Sequence, residues 1–256
     1  MASKKLYITI FIILFIFTAS MLYYGIIYQT RTFILAIDPQ FKLKYDSEKW
    51  SHINDNKSII DSGYEVYDEN GYLGKYNIAN IENEKRWAVY DESRKEVNKI
   101  GKIVAYKTNI KTEYIEYKQE EITENDLYYI DKNLKSNTIE LDSKKAMNLH
   151  YSVDLNNDGK KDTILISNLL ASQNKNQSSY TLILSIINKK ETVLYYKFAK
   201  EGTGISNKSA SLSAVLDIKK DGEKELLFSF NSYGESQPCL SIFKLKHNKY
   251  EKELSC

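Results

Sequence analysis

The stretch from His150 to Ser167, HYSVDLNNDGKKDTILIS, decides the fold. It contains an apolar strand pattern, a polar loop with an Asp-Gly step, and a second apolar strand pattern. A related stretch, SAVLDIKKDGEKELLFSF, begins at Ser213 and has the same order of features. Short apolar runs bounded by turn residues are typical of antiparallel β structure. The two copies therefore predict two related β units.

Each copy is followed by two further strand-like runs. These are SYTLILSI and TVLYYKFAK after the first copy, and CLSIFKL and YEKELS after the second. Self-similarity at a fixed spacing is the signature of a repeat architecture. Residues 146–256 are therefore predicted to form two four-stranded antiparallel units of about sixty residues each.

The loop of the first copy, which we call loop one, carries oxygen atoms at regular intervals. The candidate ligands are the side chains at positions one, three, five and nine and the backbone carbonyl at position seven, namely Asp154, Asn156, Asp158, Asp162 and Lys160. Gly159 at position six permits a sharp turn. Ca²⁺ prefers several hard oxygen ligands from one compact loop. A polar turn that happens to be acidic is the alternative.

Loop one resembles the strand-flanked Ca²⁺ loops of the FG-GAP/VCBS repeat family, over about residues 146–256. The resemblance implies that the four side chains at positions one, three, five and nine bind Ca²⁺, and that the units are similar to propeller blades. Such a metal would be structural, with an expected Kd of ~10⁻⁴ to 10⁻³ M. Because a propeller needs at least four blades, two units are not expected to complete one unless residues 63–145 contribute degenerate blades.

The corresponding loop of the second copy, loop two, departs from this pattern. Asp217, Asp221 and Glu225 match positions one, five and nine, but position three is Lys219. This change removes one ligand and adds an ammonium group. Loop two is therefore predicted to be metal-free or weak, with Lys219 neutralising its carboxylates.

The N-terminus contains an uncharged apolar run over residues 6–28. As a helix this run would measure ~35 Å, which is enough to cross a bilayer. A signal peptide cleaved near Thr18–Ser20 is the alternative. Lys4 and Lys5 precede the run, so the positive-inside rule predicts cytoplasmic residues 1–5 and an extracytoplasmic remainder.

The chain has two cysteines, Cys239 and Cys256. A hairpin with a two-residue turn at His247–Asn248 would place Cys239 directly opposite Cys256, at a separation that a disulfide accepts. A disulfide would indicate an oxidising, extracytoplasmic compartment, which agrees with the predicted topology. Two unrelated thiols are the alternative.

The intervening chain divides into two predicted regions. Residues 29–62 are interpreted as a juxtamembrane segment, in which residues 46–62 could form a short helix. Residues 63–145 are predicted to be β-rich, starting with a hairpin that turns at Asn70-Gly71. The polar segment 120–145 is the predicted boundary before the two-unit β domain.

Composition excludes some functions and leaves others open. With 36 basic and 34 acidic residues, the chain has no basic patch that would indicate nucleic-acid binding. No nucleophile elbow or phosphate-binding loop is present, so we predict a protein without enzymatic activity. The favoured function is a membrane-anchored extracytoplasmic protein that binds a protein or a cell-surface polymer, with its 21 tyrosines as a source of contact surface. An accessory subunit of a membrane or envelope complex, or an enzyme that acts on envelope material, are the alternatives.

Overall fold

About 60% of the described residues lie in antiparallel strands, which confirms the predicted mainly β fold class. The computed structural model describes residues 10–22, 33–37, 41–46, 49–53, 61–68, 71–81, 86–97, 103–108, 110, 112–137, 143–170, 178–200, 208–231, 239–246 and 249–255. Helix α1 comprises residues 10–22, and helix α2 comprises Glu124–Ser136. The strands form three sheets.

The first sheet, which we call the N-terminal sheet, has seven strands. They are β1 (Phe33–Ile37), β2 (Phe41–Asp46), β3 (Lys49–His52), β4 (Asp61–Asp68), β5 (Gly71–Ile81), β6 (Arg86–Tyr90) and β7 (Val104–Thr108). Their order across the sheet is β3-β2-β1-β7-β4-β5-β6. The β4–β5 hairpin is present as predicted, but Asp68 pairs with Gly71, so Gly71 belongs to β5 and not to the turn.

The other two sheets contain the two predicted units. The strands are β8 (Thr112–Tyr114), β9 (Lys118–Glu120), β10 (Met147–Val153), β11 (Asp162–Leu169), β12 (Ser179–Ile187), β13 (Lys190–Ala199), β14 (Ser209–Ile218), β15 (Glu225–Asn231), β16 (Cys239–Lys246) and β17 (Lys249–Leu254). The first-unit sheet has the order β13-β12-β11-β10-β9, and the second-unit sheet has the order β17-β16-β15-β14-β8. Each predicted set of four strands therefore forms an antiparallel meander.

The second-unit sheet is the middle layer of a three-sheet stack. Successive side chains of a strand point to opposite faces of the sheet, so a strand in this position must be apolar on both. Leu227 of β15 packs in one cluster with Leu43 and Tyr106 of the N-terminal sheet. Its neighbour Phe228 packs in another cluster with Ile164 of the first-unit sheet. All three sheets are thus held together through the second unit.

Helix α2 covers the outer face of the first-unit sheet and lies within the polar segment 120–145, where the sequence pattern predicted only a boundary. Thr123 caps the helix in a capping box with Asp126, which satisfies backbone donors at its first turn. Ile130 and Leu134 lie one turn apart and pack on Leu182. The helix was missed because the segment is otherwise polar.

The predicted region boundaries fall inside the sheets. Strands β1 to β3 come from residues 29–62, so this segment is part of the N-terminal sheet and not a separate juxtamembrane segment. A helix over 46–62 is also wrong where the structure describes this range, because Lys49–His52 is a strand. Trp50 of that strand is buried against the second unit, which tertiary packing explains better than local propensity.

Residues 112–120, which we call the strap, cover the inner edges of both units. Strand β8 pairs with β14, and strand β9 pairs with β10. Between them, the Ile115 N–H donates to Val215 O at 2.9 Å, and the Tyr117 hydroxyl donates to Ser213 O at 3.1 Å. The predicted boundary at 145/146 is therefore bridged by backbone pairing. Sheet closure into a barrel does not occur in the described part of the chain.

Helix α1 is exposed along its whole described length. Its large apolar side chains range from 46% exposed at Ile10 to 71% at Phe11. The predicted span of residues 6–28 extends past this helix on both sides, into residues outside the described ranges. Among the helices that the structure describes, none has the length and apolar character needed for a membrane span.

The middle layer predicts where core substitutions cost most. Phe228 is fully buried and contacts Phe243 edge to face, with ring centroids 5.8 Å apart. We expect Phe228→Ala to lower the free energy of unfolding by about 3–5 kcal/mol, measured by urea denaturation, because the substitution leaves a cavity between two sheets. Phe198→Ala is the matched control, since Phe198 is 37% exposed on edge strand β13. Equal losses in the two variants would contradict the three-layer arrangement.

Candidate functional site

The two loops share one backbone frame, seen first in loop one. Gly159 N–H donates to Asp154 Oδ2 at 3.0 Å, and Leu155 N–H donates to Asp162 Oδ2 at 3.0 Å. Asn157 and Gly159 adopt left-handed φ values of 60° and 77°, which asparagine and glycine tolerate better than most residues. The carboxylates at positions one and nine thus fix the turn.

Loop two repeats this frame at equivalent positions. Gly222 N–H donates to Asp217 Oδ2 at 3.1 Å, and Ile218 N–H donates to Glu225 Oε2 at 3.0 Å. The loops also touch, because Asn157 Nδ2 donates to Gly222 O at 3.4 Å. The sequence repeat is therefore a repeat of this hydrogen-bond frame, although position three has a left-handed φ only in loop two, at Lys219. Both loops lie on the same side of the stack.

Asp158 and Asn156 of loop one bond to each other and to the turn. Asp158 Oδ1 accepts from Lys160 N–H at 2.9 Å, and Oδ2 accepts from Asn156 Nδ2 at 3.1 Å. These two bonds, the backbone one first, lower the pKa of Asp158 below its ordinary value. Asn156 Oδ1 in turn accepts from Asp158 N–H at 3.1 Å. A cation at these oxygens would replace the Asn156–Asp158 side-chain bond.

Asp162 and the Oδ1 atom of half-buried Asp154 are the least accessible acidic groups of loop one. Asp162 is 5% exposed, and burial is the main cause that raises its pKa. The hydrogen bond from Leu155 N–H lowers the pKa, and repulsion from Asp158 and Asp154 raises it further. Asp154 Oδ1 is buried and has no hydrogen-bond partner. An unpaired buried carboxylate oxygen is costly, so this atom favours a bound cation.

The candidate ligand oxygens of loop one do not converge on a single metal position in this structure. Within the described ranges, no group of three or more His, Cys, Asp or Glu side chains is positioned to hold a metal ion. The donor chemistry fits Ca²⁺, since Asp154, Asn156, Asp158 and Asp162 supply only oxygen ligands. A bound ion would require Asn156 and Asp158 to turn their oxygens inward. The Lys160 side chain is exposed, so only its carbonyl remains a candidate.

Asn188 is a neighbour of loop one that sequence reasoning missed. It lies in the two-residue turn between β12 and β13, where Asn188 and Lys189 have φ values of 51° and 64°. Its side chain faces Asp158, and its backbone N–H faces Asp162. An asparagine between two apolar runs indicates such a turn. Its proximity to loop one follows only from the β11–β12 pairing.

Two buried lysines, one in loop two and one on strand β16, lie beside the carboxylates of loop two. Lys224 Nζ lies 2.8 Å from Asp217 Oδ2. Lys244 Nζ lies 3.0 Å from Glu225 Oε1, and this contact is an ion pair whose geometry does not meet that of a hydrogen bond. Lys224 is 2% and Lys244 4% exposed. Burial raises the pKa of Glu225 to about 7, although Lys244 opposes the rise. Burial alone would lower the pKa of Lys244, but Glu225 raises it.

Lys219, the residue predicted to neutralise loop two, is exposed with a φ of 78°. The buried ammonium groups beside the carboxylates belong to Lys224 and Lys244. Asp221 is only 37% exposed and lies 3.9 Å from Lys244 Nζ. Lys224 at position eight could be read from the loop, whereas Lys244 lies on the next strand and is brought in by register with Glu225.

The equivalent positions around loop one differ in charge. On the second-unit sheet, Lys244 of the neighbouring strand lies across from Glu225 at position nine. On the first-unit sheet, Thr163 pairs with Ile186, so the residue across from Asp162 at position nine is Ile187. Lys161 occupies position eight, as Lys224 does in loop two, but its side chain is exposed. No lysine or arginine of the described ranges forms an ion pair with Asp154 or Asp162.

The C-terminal hairpin confirms part of the cysteine prediction. Lys246 pairs with Lys249 and Phe243 pairs with Lys252, as expected, but a bulge then shifts Ile242 onto Leu254. A hairpin that turns at His247–Asn248 without a bulge would instead pair Ser241 with Leu254, so the predicted regular register is wrong beyond Phe243. Cys239 is not a free thiol. Cys256 and the turn at His247–Asn248 lie outside the described residues, so the Cys239–Cys256 disulfide stays a prediction.

Many tyrosines pack against one another inside the fold. Tyr67 stacks on Tyr114 at 4.5 Å and on Tyr106 at 5.5 Å between ring centroids. Tyr72 and Tyr128 are more accessible, at 54% and 61% exposed. The contact surface that tyrosines could provide is therefore smaller than their number suggests.

Comparisons with known proteins give no relative. The chain matches no family model, no curated protein and no solved structure. The FG-GAP/VCBS resemblance consequently rests on the residues of the two loops and their flanking strands.

Glu225 predicts a pH-dependent contribution to stability. Its pKa is about 7 in the folded chain against an ordinary value of 4.5, so the folded state binds its proton more tightly. The free energy that this proton contributes is fully present below about pH 4.5 and is lost as pH rises through about 7. We expect Glu225→Gln to remove this pH-dependent loss of unfolding free energy. Urea denaturation below about pH 4.5 and above about pH 7 would measure it. Parallel pH profiles for wild type and variant would contradict the raised pKa, and exposed Glu121→Gln is the control.

Proposed function

We propose that the chain is a membrane-anchored extracytoplasmic interaction protein in which Ca²⁺ stabilises loop one. The observation that carries the Ca²⁺ part is the buried Asp154 Oδ1, which has no hydrogen-bond partner among the described residues. It lies beside a buried Asp162 that no ammonium group of the described residues neutralises. The ion would be structural, because it would join both ends of the turn between β10 and β11. The sheets would provide the scaffold, and the exposed surface would bind the partner.

The membrane part of the proposal is supported by helix α1. Apart from Thr18 and Ser20 its side chains are apolar, and they are exposed on every face, whereas helices in water normally bury an apolar stripe. The acyl chains of a lipid bilayer would bury such an apolar surface. Lys4 and Lys5 precede it, which favours a cytoplasmic N-terminus by the positive-inside rule.

An oxidising compartment is supported by Cys239. It is not a free thiol, and Cys256 is the one other cysteine in the sequence. Disulfides persist in extracytoplasmic compartments and are rare in the cytosol. The proposed partner is a protein or a cell-surface polymer, and accessible Tyr72 and Tyr128 are the aromatic groups best placed to contact it.

Calcium binding predicts a change in thermal stability. With a Kd of ~10⁻⁴ to 10⁻³ M, ~10 mM Ca²⁺ would add about 1.4–2.7 kcal/mol to the free energy of unfolding. We expect the Tm of the full chain in detergent to rise by about 3–10 °C relative to a chelator. Asp154→Asn and Asp158→Asn should abolish the rise, because each removes a carboxylate ligand with little change in size.

Asp221→Asn is the matched control, since Asp221 holds position five of loop two. It should leave the Ca²⁺-dependent rise intact. A wild-type Tm that does not respond to Ca²⁺, or a response that survives both loop-one substitutions, would reject Ca²⁺ binding by loop one and reduce it to a polar turn.

Membrane anchoring predicts the fractionation of the chain. Full-length protein should remain with the membrane during alkaline carbonate extraction, because a spanning helix is held by burial of its apolar surface in the bilayer. A variant that lacks residues 1–29 should appear in the soluble fraction. Release of the full-length chain by carbonate would exclude a spanning anchor, and release of a shortened chain would indicate cleavage near Thr18–Ser20.

A further inference from the structure

Loops one and two have the same frame of carboxylates bonded to backbone N–H groups, but only loop two has buried ammonium groups beside its carboxylates. In both, a glycine N–H binds the first carboxylate and the second residue's N–H binds the last one. Loop two adds two buried ammonium groups, whose combined charge equals that of one divalent cation. Loop one has Ile187 and an exposed Lys161 at the corresponding places.

We infer that Lys224 and Lys244 replace a divalent cation in loop two, so that the second-unit sheet keeps its fold without metal while the first-unit loop depends on one. The inference rests on the proposed Ca²⁺ site for the metal dependence of loop one. The role of the two lysines rests on the ion pairs of loop two alone.

The ion pairs explain how loop two tolerates its buried acids. Asp217 is 4% exposed and Glu225 is fully buried, so each carboxylate needs a nearby positive charge. Lys224 supplies it to Asp217 at 2.8 Å. Lys244 reaches Glu225 at 3.0 Å and also lies 3.4 Å from Glu223, so it neutralises more than one acid.

The position of Lys244 has an equivalent on the first-unit sheet, so its neutralising role can be tested by placing a lysine there. It comes from β16, directly across from position nine of the loop, where register fixes its side chain on the carboxylate. Ile187 holds this place on the first-unit sheet and packs at the edge of the apolar core. An exchange of side chains at these two positions should therefore exchange the metal dependence of the two loops.

The test is amide hydrogen exchange of the full chain in detergent, with ~10 mM Ca²⁺ or with a chelator. In wild type, Ca²⁺ should slow exchange about 10- to 100-fold in residues 153–163 and leave residues 216–226 unchanged, for a Kd of ~10⁻³ to 10⁻⁴ M. The Ile187→Lys variant should show slow exchange in residues 153–163 even with the chelator. Ca²⁺-dependent protection of wild-type residues 216–226 would overturn the inference.

The reverse variant tests the lysines directly. Lys219→Asn, Lys224→Gln and Lys244→Ile together give loop two the ligand pattern and neighbours of loop one. We expect fast exchange of residues 216–226 with the chelator and protection restored by Ca²⁺. The single Lys224→Gln variant, which keeps Lys244 with Glu225, should show a smaller loss with the chelator if the triple variant does not fold.

The outcomes separate this inference from the proposed function. If Ca²⁺ leaves wild-type residues 153–163 unchanged while the lysine variants lose protection at 216–226, the Ca²⁺ site of loop one is wrong and the neutralising role of the lysines stands. If the lysine variants exchange as slowly as wild type with the chelator, the lysines do not replace a cation.

Discussion

Burial of both faces of the second-unit sheet is the constraint on which the fold depends. Its strands must be apolar at successive positions, because one face packs on the N-terminal sheet and the other on the first-unit sheet. Adjacent residues Leu226, Leu227 and Phe228 are all fully buried. Each outer sheet packs one face on this sheet and has a smaller buried apolar cluster on its far face, around Tyr64 in the N-terminal sheet and around Leu182 in the first-unit sheet. Helix α2 then covers the far side of the first unit, and the strap covers the inner edges of both units.

The two loops are alternative solutions to the same electrostatic problem. A tight turn that uses carboxylates to hold its own backbone donors brings negative charge into a region of low water access. Loop two balances that charge with lysines of its own sheet, at 2.8 and 3.0 Å. Loop one leaves Asp154 Oδ1 without a partner. Buried charge must be paired to be tolerated, and the Ca²⁺ ion proposed for loop one rests on this difference between the two loops.

Features encoded locally were predictable from the sequence, and features set by pairing were not. The alternating apolar runs located β10 to β17 because strand periodicity and turn residues are local signals. Helix α2 escaped because Ile130 and Leu134 are its only buried apolar residues. Lys244 acts on Glu225 from the neighbouring strand, and the bulge that moves Leu254 to the other face has no signal in the sequence pattern. Such contacts depend on the packed sheet.

The middle layer of the stack is also the last part of this sequence, which has a consequence for how the chain acquires its fold. The N-terminal sheet and the first unit precede the surface that each must cover, and strap residue Thr112 pairs with Ile218 across more than a hundred intervening positions. Contacts so distant along the chain slow folding, because a long loop must close before they form. Neither neighbour can complete its core while the chain is emerging. Assembly must therefore wait for β14 to β17, and the earlier sheets would present apolar surface during that interval.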